Sequence, residues 1–239
     1  MTQLILLPGL ASSAVMWQAQ LDALPAHYRV HVTDVHTRCD TIEAMAQTLL
    51  GEHPGELILC GASMGGIIAM QTAHQAPQRI RAMALLGTSA RPETGDMRQL
   101  REAAITLFAD GRAPEVLRAN VPLAFHASHA KDPVLVQCYL DFVLEAGPAQ
   151  LIRQNRAIMA RPDARRYLSA LQCPTLVLCG ESDQLTPPEC SREIASLLPH
   201  ARLEMLAQCG HMSTMEQPAR VNALLLEWLA ALPPLAPQI

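Results

Sequence analysis

Aromatic residues are scarce in this chain. Trp, Tyr and Phe make up 3% of its 239 residues, so Leu, Ala, Val, Ile and Met must fill any core. No pair of cysteines has Cys-x-x-Cys spacing. Cys39, Cys60, Cys138, Cys173, Cys179, Cys190 and Cys209 are odd in number, and several lie inside apolar runs, where a free thiol behaves as a small hydrophobe. That pattern excludes a disulfide framework and predicts a reducing cytoplasm. No apolar run is long enough for a membrane span. The opening "MTQLILLPGL" lacks a cationic residue and breaks at Pro8, so no signal peptide is expected. There is no basic excess: the formal net charge is −4, which leaves no electrostatic footprint for nucleic acid. Repeats and low-complexity tracts are also missing. What is present is 50% hydrophobic and 17% charged residues, the balance of a folded globular protein rather than a disordered one. The length is ample for a buried core with an insertion.

Short β-type runs alternate with helical patterns. The runs at 3–8, 28–35, 56–61 and 80–88 read as strands, and those at 13–24, 41–53 and 64–74 as helices, with Ser12 or Ser13 and Asp40 or Thr41 as caps. Strands alternating with helices predict right-handed crossovers and a parallel sheet covered on both faces. The rhythm stops after Ala90. Residues 91–170 carry helical patterns at 97–111, 114–125, 133–147 and 149–161 and no convincing strand. Strands return at 174–183 and 201–210, and helices at 188–199 and 218–232. The expected fold class is therefore α/β, with a mainly parallel, doubly wound sheet in residues 1–90 and 171–239. Residues 91–170 form a helical insertion, placed as a cap or lid over the active end of the sheet.

"CGASMGG", at 60–66, has a serine where a strand turns directly into a helix. Gly61 and Gly65 flank Ser63 in Gly-x-Ser-x-Gly spacing. So tight a turn forces its central residue into an unfavourable conformation and needs neighbours of almost no size. A phosphate loop is the competing reading. A dinucleotide fingerprint would need glycine at position 63, and a Walker loop would need lysine nearby; neither is present. A plain tight turn stays open on the motif alone.

A serine hydroxyl is a weak nucleophile without a base and an orienting acid. The turn therefore predicts an acid and then a histidine, each after a later strand. Asp183 in "CGESDQLTPP" and His211 in "CGHMSTMEQP" stand in those places, in that order. Glu181 and Glu93 are the alternative acids. Nine histidines make some His near a strand end unsurprising, but the others fit worse. His31 lies inside a strand, His74 ends a helix, His200 precedes a strand, and His126 and His129 lie in the insertion. Asp34 ends a strand on the early side of the turn and reads as structural. An oxyanion hole needs two backbone donors. The amide of Met64 is one candidate. The other is that of Leu10, in the loop after the first strand, where Gly9 lets the backbone come close. His126-x-x-His129 is not a metal-ligand pattern, and no metal or other cofactor is expected.

With these residues assembled, the chain resembles the α/β-hydrolase superfamily over nearly its whole length. The matching segments are "LLPGLASSAVMW", "CGASMGG", "PTLVLCGESDQLTPP" and "CGHMSTMEQPARVNALLLEWL". It is similar to the compact, cap-bearing bacterial branch of carboxylesterases, enol-lactone hydrolases and carbon–carbon bond hydrolases. The resemblance implies a Ser63–His211–Asp183 triad and oxyanion donors at Leu10 and Met64. One departure is Pro8 before Gly9, where many relatives carry a His-Gly pair whose histidine helps to fix the loop. A serine nucleophile argues against dehalogenase or epoxide-hydrolase chemistry.

The expected function is carboxylic-ester hydrolysis of a small-molecule substrate through an acyl-enzyme. Lactone, thioester or carbon–carbon bond cleavage with the same triad is the alternative, and a ligand-binding protein on a hydrolase fold is the non-enzymatic one. Substrate-pocket candidates are Phe108, Phe125, Phe142, Met212 and Arg161, with the Met64 side chain beside the oxyanion hole. The competing reading places the phenylalanines in the insertion's own small core and Arg161 on a solvated basic face. Oligomeric state is not legible.

Overall fold

The computed structural model describes residues 3–233. The ends of the expected core, residues 1–2 and 234–239, lie outside the described residues. Six strands form one sheet: β1 (Gln3–Leu7), β2 (Arg29–Val32), β3 (Leu57–Ala62), β4 (Ile80–Leu86), β5 (Thr175–Gly180) and β6 (Ala201–Leu206). All pairings are parallel, in the order β2-β1-β3-β4-β5-β6.

The apolar strands need cover on both sides, and the alternation of their side chains supplies the demand. Leu4, Leu6, Ile58, Cys60, Ala82, Ala84, Leu86, Leu176 and Leu178 face one apolar cluster. Their sequence neighbours Ile5, Leu7, Leu57, Leu59, Met83, Leu85 and Val177 face the other. The first face is covered by α1 (Gln18–Ala23) and by the last helix, through Val221, Leu224, Leu225 and Trp228. After a short α2 (Val35–Arg38), the second face is covered by α3 (Ile42–Glu52) and α4 (Met64–Gln75). Thr41 caps α3 by accepting from the Ala44 amide at 3.1 Å.

Between β4 and β5 the chain forms four helices and short 3-10 turns and no strand: α5 (Gly95–Ala109), α6 (Ala113–Ala124), α7 (Pro133–Glu145) and α8 (Gly147–Met159). Asp132 starts α7, its carboxylate accepting from Val134 and Leu135 at 2.9 and 3.2 Å, with Pro133 in the first turn. The second half closes with α9 (Pro188–Leu197), α10 (Ser213–Glu216) and α11 (Pro218–Ala230).

Some boundaries differ from the sequence reading. The helix expected from Ser13 to Leu24 is a 3-10 turn, Ala14–Trp17, followed by α1, with Ser13 as its cap. The strand expected to reach Val35 ends at Val32, and α2 follows at once. The helices α2 and α10 are one turn each, too short to leave a periodic signal.

Strand order reverses between β1 and β3, whose carboxyl ends therefore open onto a crevice. Open α/β sheets place ligands there. Leu10 follows β1 and Ser63 follows β3, so the reversal puts the two loops side by side.

Candidate active site

Ser63 is the residue between β3 and α4, with φ +52° and ψ −116°. A non-glycine residue so placed costs on the order of 1–3 kcal/mol and persists only where its surroundings impose it. They do. The Ser63 amide donates to Leu86 O at 2.9 Å, and its carbonyl accepts from Thr88 Oγ1 at 2.7 Å and Gly66 N at 3.0 Å. The flanking glycines allow the close approach. A Cβ at Gly65 would collide with the carbonyl of Leu7, and one at Gly61 with the backbone of Gly65 and Gly66. The Gly-x-Ser-x-Gly spacing is thus a packing requirement between β1, β3 and the first turn of α4.

Asp183 and His211 come together from the loops after β5 and β6. His211 Nδ1 lies 2.8 Å from Asp183 Oδ2. A carboxylate accepts, so Nδ1 carries the proton and Nε2 is left for another partner. Asp183 is held by three more donors: the amides of Leu185 and Thr186, each at 2.9 Å, and Thr186 Oγ1 at 2.8 Å. The two loops are also stitched together by Ser182 N donating to Cys209 O at 2.9 Å. The serine side meets this pair across the bend after β4. Leu86 and Thr88 bond to Ser63, and between them Gly87 abuts the pair: a Cβ there would stand 3.1 Å from Asp183 Oδ2 and 3.3 Å from His211 Nδ1.

The electrostatics follow from that contact. Burial works against charge on His211, but the nearby Asp183 carboxylate outweighs it and raises the imidazole pKa above its ordinary value. Burial works against charge on Asp183 too. The imidazole and the Thr186 donors outweigh it and hold the carboxyl below the usual range. The alternative acids stand elsewhere: Glu181 is exposed, and Glu93 is buried against two arginines.

Of the amides from Gly9 to Ser12, Leu10's has no partner among the described residues. Gly9's meets the Met16 sulfur at 3.3 Å, Ala11's is taken by Gln154 at 2.7 Å, and Ser12's by Gly9 O at 3.2 Å. The Met64 amide, at the start of α4, is likewise unpartnered among them. Gly9 lies against the serine: a Cβ there would be 3.4 Å from Ser63 Cβ.

The substrate-pocket candidates fare differently. Phe108, Phe125, Phe142 and Met212 are buried in the same apolar cluster as the first sheet face. The insertion therefore has no small core of its own at these positions, because its apolar residues continue the sheet's. Phe125, Tyr139 and Phe142 stack edge to face within it. Phe142 also lies along an open groove of about 570 Å³ between Val15 and α7, and neither Ser63 nor His211 lines that groove. The Met64 side chain is fully buried in the opposite cluster, beneath the site rather than open beside it.

Arg161 is neither a solvated cation nor one free for a substrate. Its side chain is 9% exposed, and it donates to Glu93 at 2.9 Å and to the Arg91 carbonyl at 2.8 Å.

Sequence reasoning missed Glu216. Its side chain is fully buried, and it accepts from the amides of Gly210 at 3.0 Å and His126 at 2.8 Å and faces His129 Nδ1 at 2.9 Å. His211 N donates to Ala124 O at 2.8 Å. The loop carrying the histidine is thereby bound to the end of α6. His126 and His129 are used here, and among the described residues no cluster of three or more His, Cys, Asp or Glu could hold a metal. No described helix is long and apolar enough to cross a membrane.

A parallel α/β sheet, a strained serine between strand and helix, and a buried Asp–His pair at the following strand ends define an α/β-hydrolase architecture. The chain belongs to that family: residues 2–218 match the family described as alpha/beta hydrolase fold. A pimeloyl-[acyl-carrier protein] methyl ester esterase of Nitrosomonas europaea is 26% identical over 229 residues, 90% of each chain. RutD of Serratia proteamaculans, described as a candidate carbamate hydrolase, is 27% identical over 245 residues, 95% of this chain and 90% of that one. Among solved structures, a thermophilic esterase from Thermogutta terrifontis, malate bound, superposes with a TM-score of 0.88 at 28% identity, over 97% of this chain and 90% of its own. The enol-lactonase from Burkholderia xenovorans does so with a TM-score of 0.87 at 25% identity, over 96% and 91%.

Proposed function

We propose that this hydrolase cleaves a carboxylic ester of a small molecule through an acyl-enzyme on Ser63. The observation that carries the reading is the Asp183–His211 contact at 2.8 Å, set across Gly87 from a serine held at φ +52°. His211 Nε2 takes the Ser63 proton as the hydroxyl oxygen attacks the carbonyl carbon. The amides of Leu10 and Met64, both without a partner among the described residues, receive the oxyanion. Collapse of the tetrahedral intermediate expels the alcohol, which takes the proton from His211. Water, deprotonated by the same nitrogen, then releases the acid and restores the serine. Asp183 keeps the imidazole in the right tautomer and balances its charge. No cofactor enters these steps. Helices α5 to α8, residues 91–170, act as the cap that admits substrate, and the free thiols suit a cytoplasmic setting.

The likeness to an enol-lactonase and to a candidate carbamate hydrolase favours one second reading: the same acyl transfer on a lactone or carbamate. A panel of p-nitrophenyl esters, lactones, thioesters and carbamates separates the two. In the ester assay Ser63→Ala is expected to lose about 10³-fold or more in kcat with an unchanged melting curve. A fluorophosphonate should label the wild type at Ser63. An active alanine variant sinks the mechanism, and an unlabelled wild type points to a binding protein instead.

A further inference from the structure

We infer that Gln154, from helix α8, is a positioning residue that holds the oxyanion loop in its working shape. The inference rests on the serine-hydrolase reading above. The loop after β1 contains Ala11 at φ +54°, a left-handed conformation that L-residues with a Cβ avoid. Something must impose it, and a closed ring of three hydrogen bonds does. Gln154 Oε1 accepts from the Ala11 amide at 2.7 Å, and Gln154 Nε2 donates to His36 O at 2.8 Å. His36 Nε2 in turn donates to Ser12 O at 2.9 Å. The ring ties three separate elements together: the loop, α2 and α8. Its members are buried, Gln154 completely. His36 Nδ1 is buried without a partner among the described residues, which leaves the ring proton on Nε2, where it can donate.

The consequence falls on Leu10. By taking the Ala11 amide, Gln154 pins the peptide immediately after Leu10. Among the amides from Gly9 to Ser12, Leu10's is then the one left without a partner among the described residues, on a backbone held from the next peptide. A preorganised donor of this kind stabilises an oxyanion because no reorganisation is needed as charge develops. Gln154 touches no reacting atom. It also supplies what Pro8 cannot: the loop's support comes from a helix far along the chain rather than from a histidine within the loop. α8 gives a signal for it. Leu151, Gln154, Asn155 and Ile158 recur at the spacing of a buried helical stripe, and two of the four are amides.

The test uses full-length wild type, Gln154→Met and Gln154→Glu. Methionine keeps the volume and loses both bonds. Glutamate keeps the acceptor for Ala11 but turns an oxygen toward the His36 carbonyl. Each enzyme is assayed on a p-nitrophenyl ester and titrated with a trifluoromethyl ketone, whose adduct with serine places an oxyanion in the hole. The methionine variant should lose about 10-fold or more in kcat, bounded by the ~10²–10³-fold cost of removing an oxyanion donor outright. Its KM should hold within about twofold, and ketone affinity should fall by the same factor as kcat/KM. The glutamate variant should lie between it and the wild type. A methionine variant with kcat within about threefold of wild type overturns the inference. So does a loss of kcat with ketone affinity unchanged, which would place the effect away from the oxyanion. If the methionine variant does not fold, the glutamate variant decides by the same two readouts. A wild type that is inactive and unlabelled by fluorophosphonate overturns the hydrolase reading itself, so the two failures are distinct.

Discussion

His211 stands between opposing influences, and the balance sets a pH dependence. Burial lowers an imidazole's pKa, but Asp183 raises it further, so the net shift is upward from 6.5. In the proposed mechanism His211 is the general base, and a general base works only when neutral. Activity should therefore rise with pH through an inflection above 6.5, read from the acidic limb of kcat/KM. Asp183→Asn removes the main opposing charge and leaves burial countered only by the weaker influence of Glu216. The limb should then move to lower pH while kcat falls about 10⁴-fold through loss of the tautomer, and a limb that stays put would detach Asp183 from the base. Stability follows the same linkage. The raised His211 contributes fully below 6.5, and its share fades as pH climbs through its folded value. The lowered Asp183 contributes above 3.8 and fades as pH falls through its folded value. The pair thus stabilises the fold most between those two pH values.

Helices α5 and α8 are joined by ions as well as by apolar packing. Glu93, with a side chain 3% exposed, sits between Arg161, just past the end of α8, and Arg101 of α5, at 2.9 and 2.5 Å. Arg101 also donates to Asn155 Oδ1 at 2.7 Å. Burial disfavours the Glu93 carboxylate, yet the two guanidiniums outweigh that and keep its pKa low. Removing the shared anion leaves two cations facing each other with little water. Breaking such a buried pair costs about 3–5 kcal/mol. Glu93→Gln should accordingly lower Tm by roughly 6–20 °C, measured by differential scanning calorimetry. A change within the scatter of surface substitutions would show that solvent, not Glu93, compensates these arginines. The same helix α8 carries Gln154, so the ion network braces the element that holds the Ala11 amide.

Across the whole molecule, stability rests on a sheet covered on both faces and not on crosslinks. All seven cysteines are free thiols. Cys60 and Cys209 are buried in apolar surroundings that push their pKa values up, which keeps them inert. A structural disulfide is worth about 2–4 kcal/mol, or roughly 4–16 °C in a domain of this size. Melting curves recorded with and without dithiothreitol should therefore coincide, and a lower Tm in reductant would reveal a bond that the fold does not contain.

The alternation of apolar runs was enough to place all six strands and the long helices, because period-2 and period-3.6 burial are local consequences of facing a core. The sequence spacing of Gly61, Ser63 and Gly65 was legible for a similar reason, since steric crowding at one turn restricts three neighbouring residues. Asp183 and His211 were legible as candidates, each placed by the strand before it. What lay beyond the sequence is whatever depends on a partner distant along the chain. Arg161 reads as a free basic residue until Glu93 folds against it, 68 positions away. The insertion's phenylalanines look like a separate core until they meet the sheet's first face. Glu216 is an ordinary polar residue in helical sequence with nothing local to mark it as the acceptor for Gly210, and the buried stripe of α8 marks the face that Gln154 lies on without naming Ala11 as its partner. A buried polar group is stable only with its hydrogen bonds made, and which groups make them is decided by the tertiary arrangement of loops whose sequences carry no trace of one another.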